Sequence, residues 1–151
     1  MVGNKMLNAY SASMQDHIQE LVSQLDQLAS IDRSLNQFES LAAERLLQVL
    51  IEACIGISKH WVKHQGLGIA SDANSAFILL DQSGQWTNKE LDWRKIIGLR
   101  NALVHDYLNI DQQVILDVVN KRRYKALAEF AFKGLKVLSS PHFKTDKDEG
   151  K

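Results

Sequence analysis

The sequence has few of the residues that cross-link or interrupt a chain, with one cysteine and one proline among 151 residues. A single cysteine excludes an internal disulfide, and Cys54 lies in the apolar run LIEACIGI, where we expect a buried structural thiol. Pro141 comes near the end of the chain, so long uninterrupted helices are permitted. A chain of this length is expected to form one domain around one hydrophobic core.

Long hydrophobic runs and a net charge are missing as well. No stretch approaches the roughly 18 apolar residues that span a bilayer, and the first ten residues contain no apolar signal-peptide core. We therefore expect a cytoplasmic protein with no membrane partner. The 18 basic and 18 acidic residues cancel, so a nucleic-acid site would have to be local. The densest basic cluster is interpreted as a solvated helix face and comprises Lys121, Arg122, Arg123 and Lys125.

Apolar residues recur every three or four positions along most of the chain, and alternation with a period of two is never sustained. This pattern predicts an all-α protein, an up-and-down bundle of about five helices. Residues 1–140 form the bundle in this prediction, and residues 141–151 form a disordered charged tail because they contain too little apolar surface. The helices are predicted over about residues 6–29, 38–64, 71–80, 87–109 and 111–138.

Three of these helix boundaries have explicit capping signals. Ser71 or Asp72 is expected to cap the third helix, which ends before a glycine. The fourth helix is predicted to begin at residues 87–90, TNKE, because this spacing forms a capping box. Asn109 or Asp111 is expected to cap the last helix.

The string RNALVHDY at residues 100–107 concentrates groups that can do chemistry. An arginine followed by a histidine arises easily by chance, but the full Arg-x4-His-x-Tyr spacing does not. At 100° per residue, Arg100 and His105 point about 140° apart on one helix, whereas Asn101 and His105 share a face and Arg100 and Tyr107 lie within about 20°. Either the helix breaks before His105, or the groups come together from two subunits.

The segment around this string resembles a known family. WRKIIGLRNALVHDY is similar to the signature helix of HepT-type toxins of the HEPN superfamily, in which Trp93 and Gly98-Leu99 precede the motif. AAERLLQVLIEACIGI, at residues 42–57, resembles the long second helix of that family. The resemblance implies a HEPN-like homodimer, encoded beside a minimal nucleotidyltransferase antitoxin. It further implies a metal-independent endoribonuclease without a cofactor, the toxin of a type II-like toxin–antitoxin pair. The dimers of the family favour the two-subunit alternative for the site.

By resemblance, Arg100 and His105 are the catalytic residues, and Tyr107 is the residue that the nucleotidyltransferase AMPylates. Their chemistry agrees with cleavage of an RNA substrate. Histidine titrates near neutral pH and can take the proton of a 2′-hydroxyl, and the arginine fork stabilises charge on a phosphate. Asn101 can donate to phosphate or ribose, and Asp106 and Tyr107 are assigned supporting roles.

Structural interpretations of the same residues stay open at this point. Arg100 could pair with Glu44, Glu52 or Asp106, and Tyr107 could be a core tyrosine at a helix end. The rival function is a non-catalytic module, a nucleotide-binding or substrate-binding subunit of a nucleotidyltransferase. Neutral net charge favours that rival slightly.

Two other patterns give weaker signals. His60 and His64 are four residues apart and could share a metal ion, but no third ligand has suitable spacing, so an exposed helix surface is the favoured interpretation and no metal site is predicted. The glycines of Gly66-Leu-Gly68 are too few for a phosphate-binding loop.

Overall fold

Six α-helices and one 3-10 turn make up the part of the chain that the structure describes. The computed structural model describes residues 2–87 and 89–140, without the side chains of residues 2–5 and 107. The helices are α1 (Val2–Ala29), α2 (Gln37–His64), α3 (Ala73–Gln82), α4 (Trp93–His105), α5 (Gln112–Asn120) and α6 (Tyr124–Leu138), with the 3-10 turn at Tyr107–Asn109. The predicted all-α bundle is confirmed. The predicted tail, residues 141–151, lies outside the described residues.

Helices α1, α2 and α6 form the centre of the bundle. Residues 30–36 reverse the chain, so that the Tyr10 ring packs 4.7 Å from the His60 ring and α1 runs antiparallel to α2. The Cys54 thiol, buried as predicted, donates to the Leu127 carbonyl of α6 over 3.4 Å, and burial raises the pKa of that thiol. The largest fully buried side chains are Trp61, Tyr124, Phe130, Ile18, Leu25, Leu47, Leu50, Ile51, Ile57, Leu80, Ile115 and Leu135. Within the described residues, no helix has the length and apolarity needed to cross a bilayer.

Aromatic side chains attach α3 and the beginning of α4 to this centre. The Phe77 and Trp93 rings stack with centroids 3.7 Å apart, and Trp93 meets Phe130 edge-on at 4.7 Å. Phe130 also contacts Trp61, with centroids 5.4 Å apart. Each such pair contributes about 0.5–1.5 kcal/mol beyond its buried area, so this cluster fixes the start of α4.

The predicted start of α4 is wrong by about one and a half turns. The helix begins at Trp93, and the Asp92 carboxylate caps it by accepting from the Lys95 amide at 3.4 Å. Lys89 and Glu90 lie in a turn instead of a helix, and Asn88 of the predicted capping box lies outside the described residues. An aspartate directly before the first apolar residue that packs on the core therefore prevails over an earlier capping-box pattern.

The predicted last helix is two helices, α5 and α6, separated at residues 121–123. Arg122 adopts φ 52°, the left-handed conformation that costs an L-residue roughly 1–2 kcal/mol. Its guanidinium binds the Asp26 carboxylate at 2.7 Å and the Ser30 hydroxyl at 3.2 Å, both from the end of α1. These contacts hold a turn that neither glycine nor proline announces in the sequence.

The basic cluster is therefore an ion-paired corner of the fold and not a single solvated helix face. Lys121 and Arg123 both contact Asp117, at 2.8 and 3.2 Å, and Lys125 lies 3.7 Å from the Asp26 carboxylate. All of these cations keep more than half of their side-chain surface exposed, so they are solvated as expected. Their pairing leaves the corner with little excess positive charge.

The interpretation of His60 and His64 as an exposed helix surface is wrong. His64 is buried, with 5% of its surface exposed, and His60 packs against Tyr10. Burial, together with the charge of Lys63, lowers the pKa of His60. Among the described residues, no group of three histidine, cysteine or carboxylate side chains comes together to hold a metal ion.

Candidate functional site

Helix α4 is continuous through the motif. It ends after His105, where Asp106 leaves the helical conformation (φ −144°, ψ 37°) and donates its amide to the Ala102 carbonyl at 2.8 Å. A break before His105, one of the two alternatives for the site, is therefore ruled out. Arg100 and His105 stay about 140° apart around one helix, so a single chain does not bring them together by helix geometry alone.

One face of α4 is open to solvent along its whole length. Leu103 is the residue of this helix that is fully buried, whereas the opposite face carries Arg94, Gly98, Asn101 and His105, all exposed. At 100° per residue these four positions fall within about 60° of one another. A polar face of this kind on a helix attached to the bundle by its other side is accessible to a large substrate.

Arg100 is joined to this open face through its neighbour. Its side chain is half-buried, and its Nε–H donates to the Asn101 Oδ1 over 2.9 Å. The contact turns the guanidinium toward the side of the helix that carries His105. It also fixes which end of the Asn101 amide is an acceptor, so that the Nδ2 group is left to donate.

The alternative ion pairs of Arg100 do not form within the described part of the chain. Glu44 instead accepts a hydrogen bond from the Gln112 side chain at 2.7 Å. Asp106 accepts from the Asn109 side chain at 2.7 Å. Arg100 is thus a cation without a carboxylate partner among the described residues, which is the state that an anion-binding arginine requires.

Asp106 has a structural part in the site. Its bond to Asn109 closes the 3-10 turn that starts at Tyr107, immediately after the motif histidine. Asp106 therefore fixes the backbone position of Tyr107, which agrees with its assignment as a supporting residue. The Tyr107 side chain lies outside the described part of the structure, so its role stays a prediction.

Exposed apolar side chains surround this end of the bundle. Phe38 at the start of α2 is 84% exposed and Leu108 in the 3-10 turn is 83% exposed. Val104 and Val114 are 42% and 44% exposed. The bond between Gln112 and Glu44 shows that α5 and α2 meet here. Large apolar side chains gathered beside a polar motif are typical of a surface that another protein covers.

Sequence reasoning did not single out Arg94 and Gly98, which share the open face with Asn101 and His105. A usable signal was present, because positions 11 and 7 residues before His105 return to nearly the same side of a helix. The signal was hidden because the apolar stripe of α4 drew attention to the buried side.

The arrangement defines a class of protein: a helical bundle that presents an Arg-x4-His motif on an exposed helix. The family model for ribonuclease HepT-like proteins matches residues 14–133. The chain therefore belongs to the ribonuclease HepT-like family, as its motif predicts.

Individual relatives agree with this assignment. The chain is 39% identical over 74 residues (48% of its length) to an mRNA nuclease HepT of Shewanella oneidensis, and 34% identical over 96 residues (60%) to a tRNA nuclease HepT of Aphanizomenon flos-aquae. These alignments cover 56% and 63% of the two relatives, less than two thirds of either.

A solved structure extends the likeness to the whole bundle. It is the tri-AMPylated Shewanella oneidensis HEPN toxin in complex with MNT antitoxin, with a TM-score of 0.67 and 26% identity. The match covers 85% of this chain and 95% of that one. The predicted HEPN-like fold is thereby confirmed.

Proposed function

We propose that this protein is the endoribonuclease toxin of a HEPN/MNT toxin–antitoxin pair, acting in the cytoplasm as a homodimer. The observation that carries the proposal is the open face of α4, where the exposed His105 and Asn101 stand beside an Arg100 that is tied to Asn101 and has no described carboxylate partner. Membership in the HepT-like family, and relatives named as mRNA and tRNA nucleases, support the same activity.

The reaction uses groups that the motif supplies. His105 takes the proton of a ribose 2′-hydroxyl, and the 2′-oxygen attacks the adjacent phosphorus. The bond from phosphorus to the 5′-oxygen then breaks, which leaves a 2′,3′-cyclic phosphate and a 5′-hydroxyl that takes up a proton. Arg100 stabilises the charge that develops on the phosphate oxygens, and the Asn101 Nδ2 group donates to phosphate or ribose.

A homodimer resolves the geometric difficulty of a single helix. Two α4 helices facing each other across a two-fold axis bring Arg100 of one chain toward His105 of the other. The exposed apolar side chains at this end of the bundle, Phe38 and Leu108 above all, supply surface that a second copy would cover. The site proposed is therefore composite, with both residues contributed by both subunits.

The partner in this proposal is a minimal nucleotidyltransferase that silences the toxin by transferring AMP to Tyr107. Tyr107 directly follows the end of α4, so an added phosphate and adenosine would stand beside His105 and exclude RNA by charge and bulk. The solved relative is itself an AMPylated toxin in complex with its antitoxin. Mass spectrometry after co-expression should find adenylyl groups on the wild type, and a Tyr107→Phe variant should lack them. Adducts that persist in Tyr107→Phe would reject this assignment.

The activity is tested by induced expression of the wild type beside His105→Ala, Arg100→Ala and His17→Ala. His17 is an exposed histidine of α1 and serves as the matched control. We expect growth arrest and RNA degradation with the wild type and His17→Ala only, and about 10²–10⁴-fold slower cleavage by purified His105→Ala. Circular dichroism and the oligomeric state establish that each variant folds.

The opposite outcome selects the rival function. If the wild type, His105→Ala and Arg100→Ala behave alike while folded and dimeric, the chain is a nucleotide-binding or substrate-binding subunit of the nucleotidyltransferase. Cleavage that depends on both motif residues rejects that rival.

A further inference from the structure

Arg94 extends the polar face of α4 away from the motif. It precedes His105 by 11 residues, which places it about 16 Å along the helix axis and within about 20° of the same direction. Arg94 is exposed, and within the described residues it makes no ion pair. A cation that is spent on no internal contact is available to a phosphate.

The surface between Arg94 and the motif is unobstructed. Gly98 lies midway on the same face, and a Cβ atom built there meets nothing within 4 Å. A strand that enters the site can therefore lie against the helix backbone at this point without displacing a side chain. The face runs from Arg94 over Gly98 to Asn101 and His105.

A cavity of about 580 Å³ opens beside Arg94, between α3, the loop after it and the start of α4. Trp86 and Trp93, both half-exposed, form part of its wall. Asn74 and Asp81 provide polar groups that match the donors and acceptors of a base edge. Since Asp81 is acidic, the cavity itself suits an uncharged base and not a phosphate.

We propose that this cavity and Arg94 form a nucleotide-binding subsite that takes one unpaired base and its phosphate, a few nucleotides from the bond that is cut. The inference rests on the proposed ribonuclease function and gives it a substrate class, single-stranded RNA that crosses Gly98. Stacking of a base on an aromatic side chain contributes about 1–3 kcal/mol and tolerates any sequence, and Arg94 adds a charge-assisted contact.

The arginine is tested by binding and by kinetics. Binding uses a fluorescein-labelled single-stranded RNA of about 12 nucleotides and the His105→Ala background, so that the probe stays intact. We expect Arg94→Ala to weaken binding about tenfold, which equals about 1.4 kcal/mol, and the charge-matched control Lys136→Ala, on α6, to leave it within twofold. With His105 present, Arg94→Ala should raise KM about tenfold and change kcat less than twofold.

The cavity is tested by tryptophan fluorescence. RNA should quench the emission of the wild type because Trp86 and Trp93 are accessible, whereas Trp61 is fully buried. Trp93→Phe keeps an aromatic ring for Phe77 and should lose about half of the quench. Adenosine 5′-monophosphate should quench, and inorganic phosphate should not.

Gly98 gives a test that preserves the fold, since its position has open space. Gly98→Glu places a negative side chain in the path of the strand and should weaken RNA binding at least tenfold, whereas Gly98→Ala should bind as the wild type does. The oligomeric state of both variants is measured by light scattering. Weaker binding by a Gly98→Glu protein that is still dimeric supports the strand path, and dissociation into monomers contradicts it.

Failure of this subsite is distinguishable from failure of the proposed function. If Arg94→Ala and Trp93→Phe bind and cleave RNA as the wild type does, the subsite is wrong and the ribonuclease assignment stands. If the wild type neither binds nor cleaves the RNA, both are rejected together.

Discussion

Arg100 donates its Nε–H to the side chain of Asn101, its immediate neighbour, over 2.9 Å. Adjacent residues of a helix point about 100° apart, so this contact draws the arginine away from its own direction and toward the face that carries His105. Asn101 thus orients the cation of the motif in addition to any contact that it makes with the substrate. The two roles can be separated by substitution.

Asn101→Ala frees the Arg100 guanidinium to adopt other rotamers. We expect kcat for cleavage of a single-stranded RNA to fall about 10–100-fold because the cation is no longer held in place. The free energy of unfolding should change by less than about 0.5 kcal/mol, since Asn101 is exposed. Asn120→Ala, which removes an exposed asparagine at the end of α5, is the control. Equal rates for both variants would mean that the contact has no functional role.

Mixing two inactive variants distinguishes a composite site from a site within one chain. In a dimer of one Arg100→Ala chain and one His105→Ala chain, a composite arrangement restores one intact site, whereas sites within single chains are all damaged. Random exchange of subunits should therefore return about a quarter of the wild-type activity. The variants are co-expressed with different tags and assayed as a purified mixture. No recovery, with exchange demonstrated by the tags, would contradict the composite site.

Much of the fold was predictable because the apolar residues of each helix pack against a single centre. The periodicity identified α1, α2 and α3 and the aspartate cap of α3, Asp72, which accepts from the Ser75 amide at 2.8 Å. The break between α5 and α6 was not predictable, since Arg122 adopts its left-handed conformation only through the contacts with α1. A long-range ion pair leaves no local sequence signal.

The site was predictable as a motif and not as an arrangement. The Arg-x4-His-x-Tyr spacing identified the residues, and 100° per residue gave their directions. The spacing could not say that α4 continues through His105, nor that Arg100 turns toward Asn101, because the first depends on where tertiary contacts end a helix and the second on a rotamer. The exposure of Arg94 likewise depends on which side of α4 meets the bundle.

Two glycines on different helices should respond oppositely to the same substitution. In Gly134→Ala the new Cβ would lie 2.5 Å from Ile57 Cγ2 and 3.0 Å from Trp61 Cε3, and both side chains are fully buried and cannot retreat. We expect a loss of about 1–3 kcal/mol in the free energy of unfolding. Gly98→Ala meets open space and should gain up to about 1 kcal/mol from helix propensity. Urea denaturation measures both. A stability loss in Gly98→Ala would contradict the open face of α4.

The ion-paired corner between α1 and α6 should make the stability depend on pH. The Tyr124 hydroxyl donates to the Asp26 carboxylate, and this bond, with the charges of Lys125 and Arg122, lowers the pKa of Asp26. A carboxyl group whose pKa is lower in the folded state stabilises the fold above its unfolded value of about 3.9. That contribution is lost as the pH falls through the folded value.

Asp26→Asn should therefore be less stable than the wild type at pH 6. The difference should be about 1 kcal/mol or less, because the group is partly exposed and screened. It should begin to shrink below about pH 4 and vanish once Asp26 is protonated in both states. Urea titrations from pH 6 to pH 2.5 follow the gap, with Asp16→Asn on the exposed side of α1 as the control. A gap that stays constant over this range would mean that the packing of the Asp26 side chain, and not its charge, holds the Arg122 turn in place.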